Sequence, residues 1–151
     1  MKNKKVIKLD EMDRNIISEL NRDGRVLYKE IARKLEVSEG AIRYRMKRMK
    51  ESGYLRILGV ADPFFFKNSI NALIGINLEA RAQRGLVMEK ISDLPGVKSV
   101  CTLTGRYNMM AEVFLQSRED LRHFLEDDLA QIGGISDTET FICLSGIGKW
   151  V

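Results

Sequence analysis

Residues 28–53 read YKEIARKLEVSEGAIRYRMKRMKESG, and this stretch decides the fold. Ile31, Ala32 and Leu35 share one side of a helix running from about Tyr28 to Leu35. Glu36-Val37-Ser38 leaves room only for a tight turn. Ser38 is a good N-cap and Gly53 a good terminator, which predicts a second helix from Ser38 to Ser52. Ile42, Met46 and Met49 recur at i, i+4 and i+7 and define its buried side. Gly40, Arg43, Tyr44 and Lys47 fall on the opposite arc, flanked by Arg45, Arg48 and Lys50. One short helix thus carries an apolar back and a cationic front with an aromatic ring in it. Such a helix fits the major groove of B-DNA, where arginine bonds guanine bidentately and lysine neutralises phosphate. Two helices joined by a tight turn, the second one basic, make a helix-turn-helix.

Upstream, Asp10 is an N-cap with Asp13 three residues on, and Leu9, Met12, Ile16, Ile17 and Leu20 keep helical spacing until Asp23-Gly24. Downstream, Tyr54 to Val60 alternates as a strand does, which predicts a winged variant of the motif; Asp62-Pro63 breaks it. The charge follows the same division. Residues 1–62 hold 16 Lys/Arg against 10 Asp/Glu, and residues 63–151 hold 9 against 11. The polyanion-binding part is therefore the front of the chain.

The remainder alternates strand and helix. Asn71–Leu78, Val97–Thr104, Met109–Leu115 and Ile135–Leu144 read as strands. A helix over Arg84–Leu94, with Leu86, Val87, Ile91 and Leu94 on one side, separates the first two strands. A helix capped by Ser117, with Leu121, Phe124, Leu125 and Leu129 inward, separates the last two. The order βαββαβ is ferredoxin-like, so the fold class is α+β: a winged helix-turn-helix followed by a ferredoxin-like unit. The expected organisation is a DNA-binding domain over 1–60, a hinge over 61–70 and an assembly and effector domain over 71–151. In that strand order Cys101 and Cys143 lie at opposite edges, too far apart for a disulfide, and both read as buried thiols in a reducing cytoplasm. Phe64-Phe65-Phe66 at the junction admits two readings, ordinary packing or a contact between subunits.

Other function classes find little support. A single His, no nucleophile beside a base and no clustered Cys/His ligands argue against an enzyme, a metal site or a cofactor. His123 amid Glu119, Asp120, Glu126 and Asp127 reads as a solvated acidic face. The basic segment Met1–Lys8 has no apolar run behind it and is not a secretion signal; no stretch approaches the roughly 20 apolar residues of a membrane span. The expected location is the cytoplasm. No pattern of stacked aromatics on a sheet suggests RNA.

The chain resembles the leucine-responsive regulator/asparagine-synthesis regulator (Lrp/AsnC, or feast/famine) family over nearly its whole length. The resemblance rests on Leu9-Asp10, Asp13-Arg14, Ile16-Ile17, Leu20 and Asp23-Gly24-Arg25. It continues in Ile31-Ala32, Leu35, Val37-Ser38, Arg43, Arg45, Lys47-Arg48 and Gly53-Tyr54-Leu55. It returns in Leu94-Pro95-Gly96-Val97 and Thr104-Gly105-Arg106-Tyr107-Asn108. It implies homodimers that assemble further, often to octamers, and amino-acid effectors bound between dimers. Gly40-Ala41 stands where relatives commonly carry polar residues, and Asn108 where they commonly carry Asp.

These readings give a site map. Arg43, Tyr44 and Lys47 are expected to face bases of a pseudo-palindromic operator, and Arg25, Arg45, Arg48 and Lys50 to face phosphate, with Ser38 and Gly40 at the helix start. For the effector, backbone N–H groups at Gly105 suit a carboxylate. Thr104, Tyr107 and Asn108 complete that turn, and Thr138 and Thr140 of another subunit are candidates for the same cleft. A plain hairpin turn at Gly105 and Asn108 stands beside this reading, as does an architectural DNA-binding protein with no effector.

Overall fold

The computed structural model describes residues 7–151; the basic N-terminal segment, apart from Ile7 and Lys8, lies outside them. The chain divides into two compact units, one ending at Gly59 and the other beginning at Val60. Residues 61–70, expected as a hinge, lie within the second unit, where Asp62 caps a short 3-10 turn over Pro63–Phe65.

The first unit has three helices: α1 (Glu11–Arg22), α2 (Tyr28–Lys34) and α3 (Glu39–Glu51). A capping box starts α1: the Asp10 carboxylate accepts from Asp13 N–H, and the Asp13 carboxylate accepts from Asp10 N–H. The turn between α2 and α3 is made by Glu36, at φ 55°, with Val37 N–H reaching back to Ala32 O at 3.0 Å. That bond closes a Schellman motif on a residue other than glycine. Ser38 Oγ accepts from Ala41 N–H and starts α3. Ile16 and Leu20 of α1, Ile31 and Ala32 of α2, and Ile42, Met46 and Met49 of α3 form one buried cluster. Full burial of each large aliphatic side chain is worth about 1.5–3 kcal/mol, so this cluster, more than helix propensity, holds the three helices together.

The expected wing is absent: no strand forms between Gly53 and Asp62 among the described residues. Tyr54, Ile57, Leu58 and Val60 stay exposed. Alternation supplies a strand's faces but not a partner for its N–H and C=O groups, and no second strand exists in this unit to pair with it.

The second unit is a four-stranded antiparallel sheet in the order β2-β3-β1-β4. The strands are β1 (Ile70–Leu78), β2 (Val97–Thr102), β3 (Met109–Leu115) and β4 (Ile135–Ile142). The helical segments are α4 (Arg84–Ser92), α5 (Arg118–His123) and a π-helical stretch over Phe124–Leu129 that continues α5. Ala72, Ile74 and Ile76 from β1 and Met109, Ala111, Val113 and Leu115 from β3 pack against Val87, Ile91, Leu121, Phe124 and Leu129. Leu86, expected inward, is exposed, because Val87 and Ile91 one turn apart already fill that side of α4. Cys101 is exposed on edge strand β2, and Cys143, just past edge strand β4, is half-buried. Neither is the buried thiol expected, since edge strands are covered on fewer sides than central ones; both are free.

Two glycines hold close approaches. At Gly96, φ 80°, a side-chain carbon would meet Leu115 Cδ2 at 2.4 Å and Phe114 O at 3.0 Å. At Gly75 it would meet the Tyr107 ring at 2.7 Å, so that ring lies directly on the β1 backbone.

Candidate functional site

The front of α3 is open. Gly40, Arg43, Tyr44, Lys47 and Lys50 are exposed, Tyr44 at 68%, while Ile42, Met46 and Met49 behind them are at most 1% exposed. A helix locked by its back offers these side chains on a fixed framework. Arg43 Nη2 bonds Glu39 Oε1 at 2.6 Å, and its guanidinium carbon stands 5.7 Å from the centroid of the Tyr28 ring. Lys47 Nζ is 3.8 Å from Glu51 Oε1. Arg25 is exposed in the turn after α1, where its N–H donates to Asp23 Oδ1 at 2.8 Å.

Arg45 and Arg48 are placed differently from the expectation. Arg45 Nη1 lies 2.7 Å from Asp10 Oδ2 and 2.9 Å from Asp13 Oδ1, and Arg48 Nη2 pairs with the other oxygen of Asp13. Asp13 is fully buried. A buried carboxylate requires cationic or hydrogen-bonded partners. These two arginines supply them, binding α3 to the start of α1 instead of standing free for phosphate. The bond from Arg45, helped by the Asp13 N–H, holds the Asp10 carboxyl down to about 2, and the same pair raises the Arg45 guanidinium. The capping box was legible in the sequence. The ion pairs were not, because their partners lie 32 to 35 residues apart.

The turn at the other candidate site is also internally committed. Asn108 Oδ1 accepts from Leu78 N–H at 2.8 Å, and Asn108 N–H donates to Ile76 O at 3.0 Å. The carbonyl oxygen expected to receive a ligand's ammonium is therefore occupied by the backbone of β1. Tyr107 is buried over Gly75, and its hydroxyl donates to Glu139, which raises the phenol above its ordinary range. Arg106 Nη2 lies 3.3 Å from the same carboxylate, and Phe141 meets the Tyr107 ring edge-on at 6.0 Å. Glu139 had no sequence signal; cross-strand register opposite Gly75 brings it there. Thr104 and Gly105 remain exposed, with open space above the Gly105 Cα. Thr138 and Thr140 pair with Ile76 and Ile74, which puts them on the helix-covered face of the sheet, opposite to Tyr107 and Glu139. Within one chain they do not join the turn.

The architecture is that of a transcriptional regulator with a helix-turn-helix DNA-binding domain and a ligand-binding domain, and comparison with known proteins agrees. Residues 9–50 match the AsnC-type helix-turn-helix domain, and residues 71–149 match the Lrp/AsnC ligand binding domain. The chain belongs to the Lrp/AsnC family, which is one of transcriptional regulators and not of enzymes. An uncharacterized HTH-type transcriptional regulator of Pyrococcus furiosus is 38% identical over 143 residues, covering 94% of this chain and 95% of that one. The solved AsnC of Escherichia coli is 29% identical, with TM-score 0.68 over 93% of this chain and 95% of its own. The Neisseria meningitidis regulator solved with L-Met has TM-score 0.72 at 22% identity, covering 94% of each chain. Among the described residues no helix is long and apolar enough to cross a membrane.

Proposed function

We propose that this regulator reads a specific operator through the exposed front of α3. Arg43, Tyr44 and Lys47 meet base edges, Lys50 and Arg25 meet phosphate, and Ser38 and Gly40 bring the start of the helix against the groove. Arg45 and Arg48 act from behind by fixing α3 on α1. The observation carrying this reading is the contrast within one helix: a back sealed by Ile42, Met46 and Met49 and a front of exposed cationic and aromatic side chains. Because Gly40-Ala41 offers no polar side chain, discrimination rests on Arg43 to Lys47 and on DNA shape. Selection of bound fragments from genomic DNA, followed by Arg43→Ala and Lys47→Ala, tests it. Each loss is expected to cost about 1–3 kcal/mol on the selected site and to relax its sequence. Unchanged operator affinity in the single and double variants would refute it.

One recognition helix reads only a few base pairs, so the operator is expected to be pseudo-palindromic and the protein a homodimer that assembles further, to octamers in the fullest form. The unpartnered segment with exposed Tyr54, Ile57 and Leu58 and the exposed Phe64–Phe66 are surfaces suited to a second copy. Sedimentation as a monomer at micromolar concentration would overturn this.

The effector is a small amino acid or related metabolite bound between dimers at the Gly105 turn. The ligand-binding domain match supports this, as does the L-Met held by the Neisseria regulator. With Asn108 and Tyr107 engaged internally, the groups left to contact it are Thr104, the Gly105 backbone and, from another subunit, Thr138 and Thr140. Calorimetry against the twenty amino acids tests this; no heat and no change in assembly would favour the plain-turn reading and a regulator without an effector.

A further inference from the structure

The search for a function beyond base reading leads to the start of α3, where Glu39 and Tyr28 surround Arg43. Glu39 is acidic on an otherwise cationic front, one turn before the arginine, and its carboxylate accepts from Arg43 Nη2 at 2.6 Å. The Tyr28 ring at the start of α2 lies 5.7 Å from the guanidinium carbon, on the same flank. Val26, Leu27, Tyr28, Lys29, Glu39 and Arg43 line one recess of about 470 Å³. Its apolar members keep part of the water away from the charged pair. Both charged side chains nonetheless stay open to solvent, Arg43 at 67% and Glu39 at 46%. The pair is therefore within reach of a bound duplex.

We infer that Glu39, backed by Tyr28, is a specificity-determining positioning residue that holds Arg43 in a base-reading pose and withholds it from random DNA phosphate. This rests on the proposed docking of α3 in the major groove. The chemistry runs as follows. A guanidinium has five N–H donors in a rigid fork. A single bond to Glu39 leaves the others free, enough for the two acceptors on the guanine edge. A phosphate, by contrast, attracts the arginine as a charge, and Glu39 already neutralises that charge. The carboxylate itself repels any phosphate brought close to it. Guanine at the right position therefore engages Arg43 without displacing Glu39, whereas random DNA gains little from it and meets the repulsion.

The test measures affinity for a genomically selected duplex and a random-sequence duplex, across a salt series, for the full chain, Glu39→Gln and Tyr28→Leu. Glu39→Gln is expected to tighten random-duplex binding by about two- to fivefold, the range of exposed ion pairs. The slope of log affinity against log salt should steepen by about one, as one more cation becomes available to phosphate. The selected duplex should gain less, so the ratio between the two falls. Repeating the fragment selection with Glu39→Gln should show relaxed preference for guanine at one position per half-site. In an Arg43→Ala background the same substitution should leave base preference unmoved. Tyr28→Leu should lower the ratio in the same direction, with α2 and α3 still folded by circular dichroism. Equal change on both duplexes, with slope and base preference unaltered, would overturn the inference and leave Glu39 a solvated first-turn residue. Failure of the unsubstituted protein to separate selected from random DNA would instead overturn the proposed docking.

Discussion

Asp13→Ala should loosen the first unit more than any surface substitution in it. Asp13 is fully buried and accepts from Asp10 N–H, Arg45 and Arg48. Loss of a capping side chain costs about 1 kcal/mol. A hydrogen bond to a charged group is worth about 1.5–3 kcal/mol when shielded. The Arg45 and Arg48 side chains keep 26% and 32% exposure, so water recovers part of what they lose. Taking about half of the shielded value for each, the expected total is about 3 kcal/mol. For a unit of this size that corresponds to a fall in midpoint of roughly 12–24 °C. Asp13→Asn keeps the acceptor for Asp10 N–H and should lose about half as much. Amide exchange read on peptides from α1 and α3 is the assay, since it separates this unit from the other. A loss below about 1 kcal/mol would refute the assignment of Asp13 as the anchor of α3. The DNA readout completes the test. Arg45→Ala should lower stability and leave the salt slope of random-duplex binding unchanged, while Lys50→Ala should lower the slope by about one with stability intact. The reverse pattern would return Arg45 to the phosphate.

Acid should act on the same corner. The Asp10 carboxyl titrates near 2 when folded against 3.8 otherwise, so its contribution is complete above about pH 5 and is lost as pH falls from 4 toward 2; Asp10→Asn should flatten that part of an acid-unfolding curve. Gly75→Ala should displace the Tyr107 ring and break its bond to Glu139, seen as a shift of the tyrosine titration toward its ordinary value; an unmoved titration would refute the packing. Asn108→Ala should cost about 1–3 kcal/mol in the second unit by orphaning Leu78 N–H, while Asn108→Asp, which keeps the acceptor, should cost little by thermal unfolding. Glu36→Gly should stabilise the first unit by up to about 1 kcal/mol, because it relieves a left-handed residue at some cost in chain entropy; a lower midpoint would count against it.

The sequence by itself determined the elements, their order and the sidedness of each. Ile42, Met46 and Met49 are buried as their spacing required, Asp10 and Ser38 cap the helices they precede, and the βαββαβ order closes into the expected sheet with β2 and β4 at its edges. These are local facts: periodicity and capping act over one or two turns, and the chain states them directly. Tertiary structure decided what the charges do. Arg45, Arg48, Arg43 and Lys47 are alike in sequence. Only the approach of α1 to α3 makes two of them partners of a buried carboxylate and leaves the other two outside. The same holds at the second unit, where register across β1 and β4 places Glu139 under the Tyr107 hydroxyl and turns Thr138 and Thr140 to the other face. The missing wing follows the same rule, since a strand needs hydrogen-bonding partners that no alternation of its own side chains can supply. Ion pairing and strand pairing join residues tens of positions apart, and a one-dimensional pattern carries no signal for either.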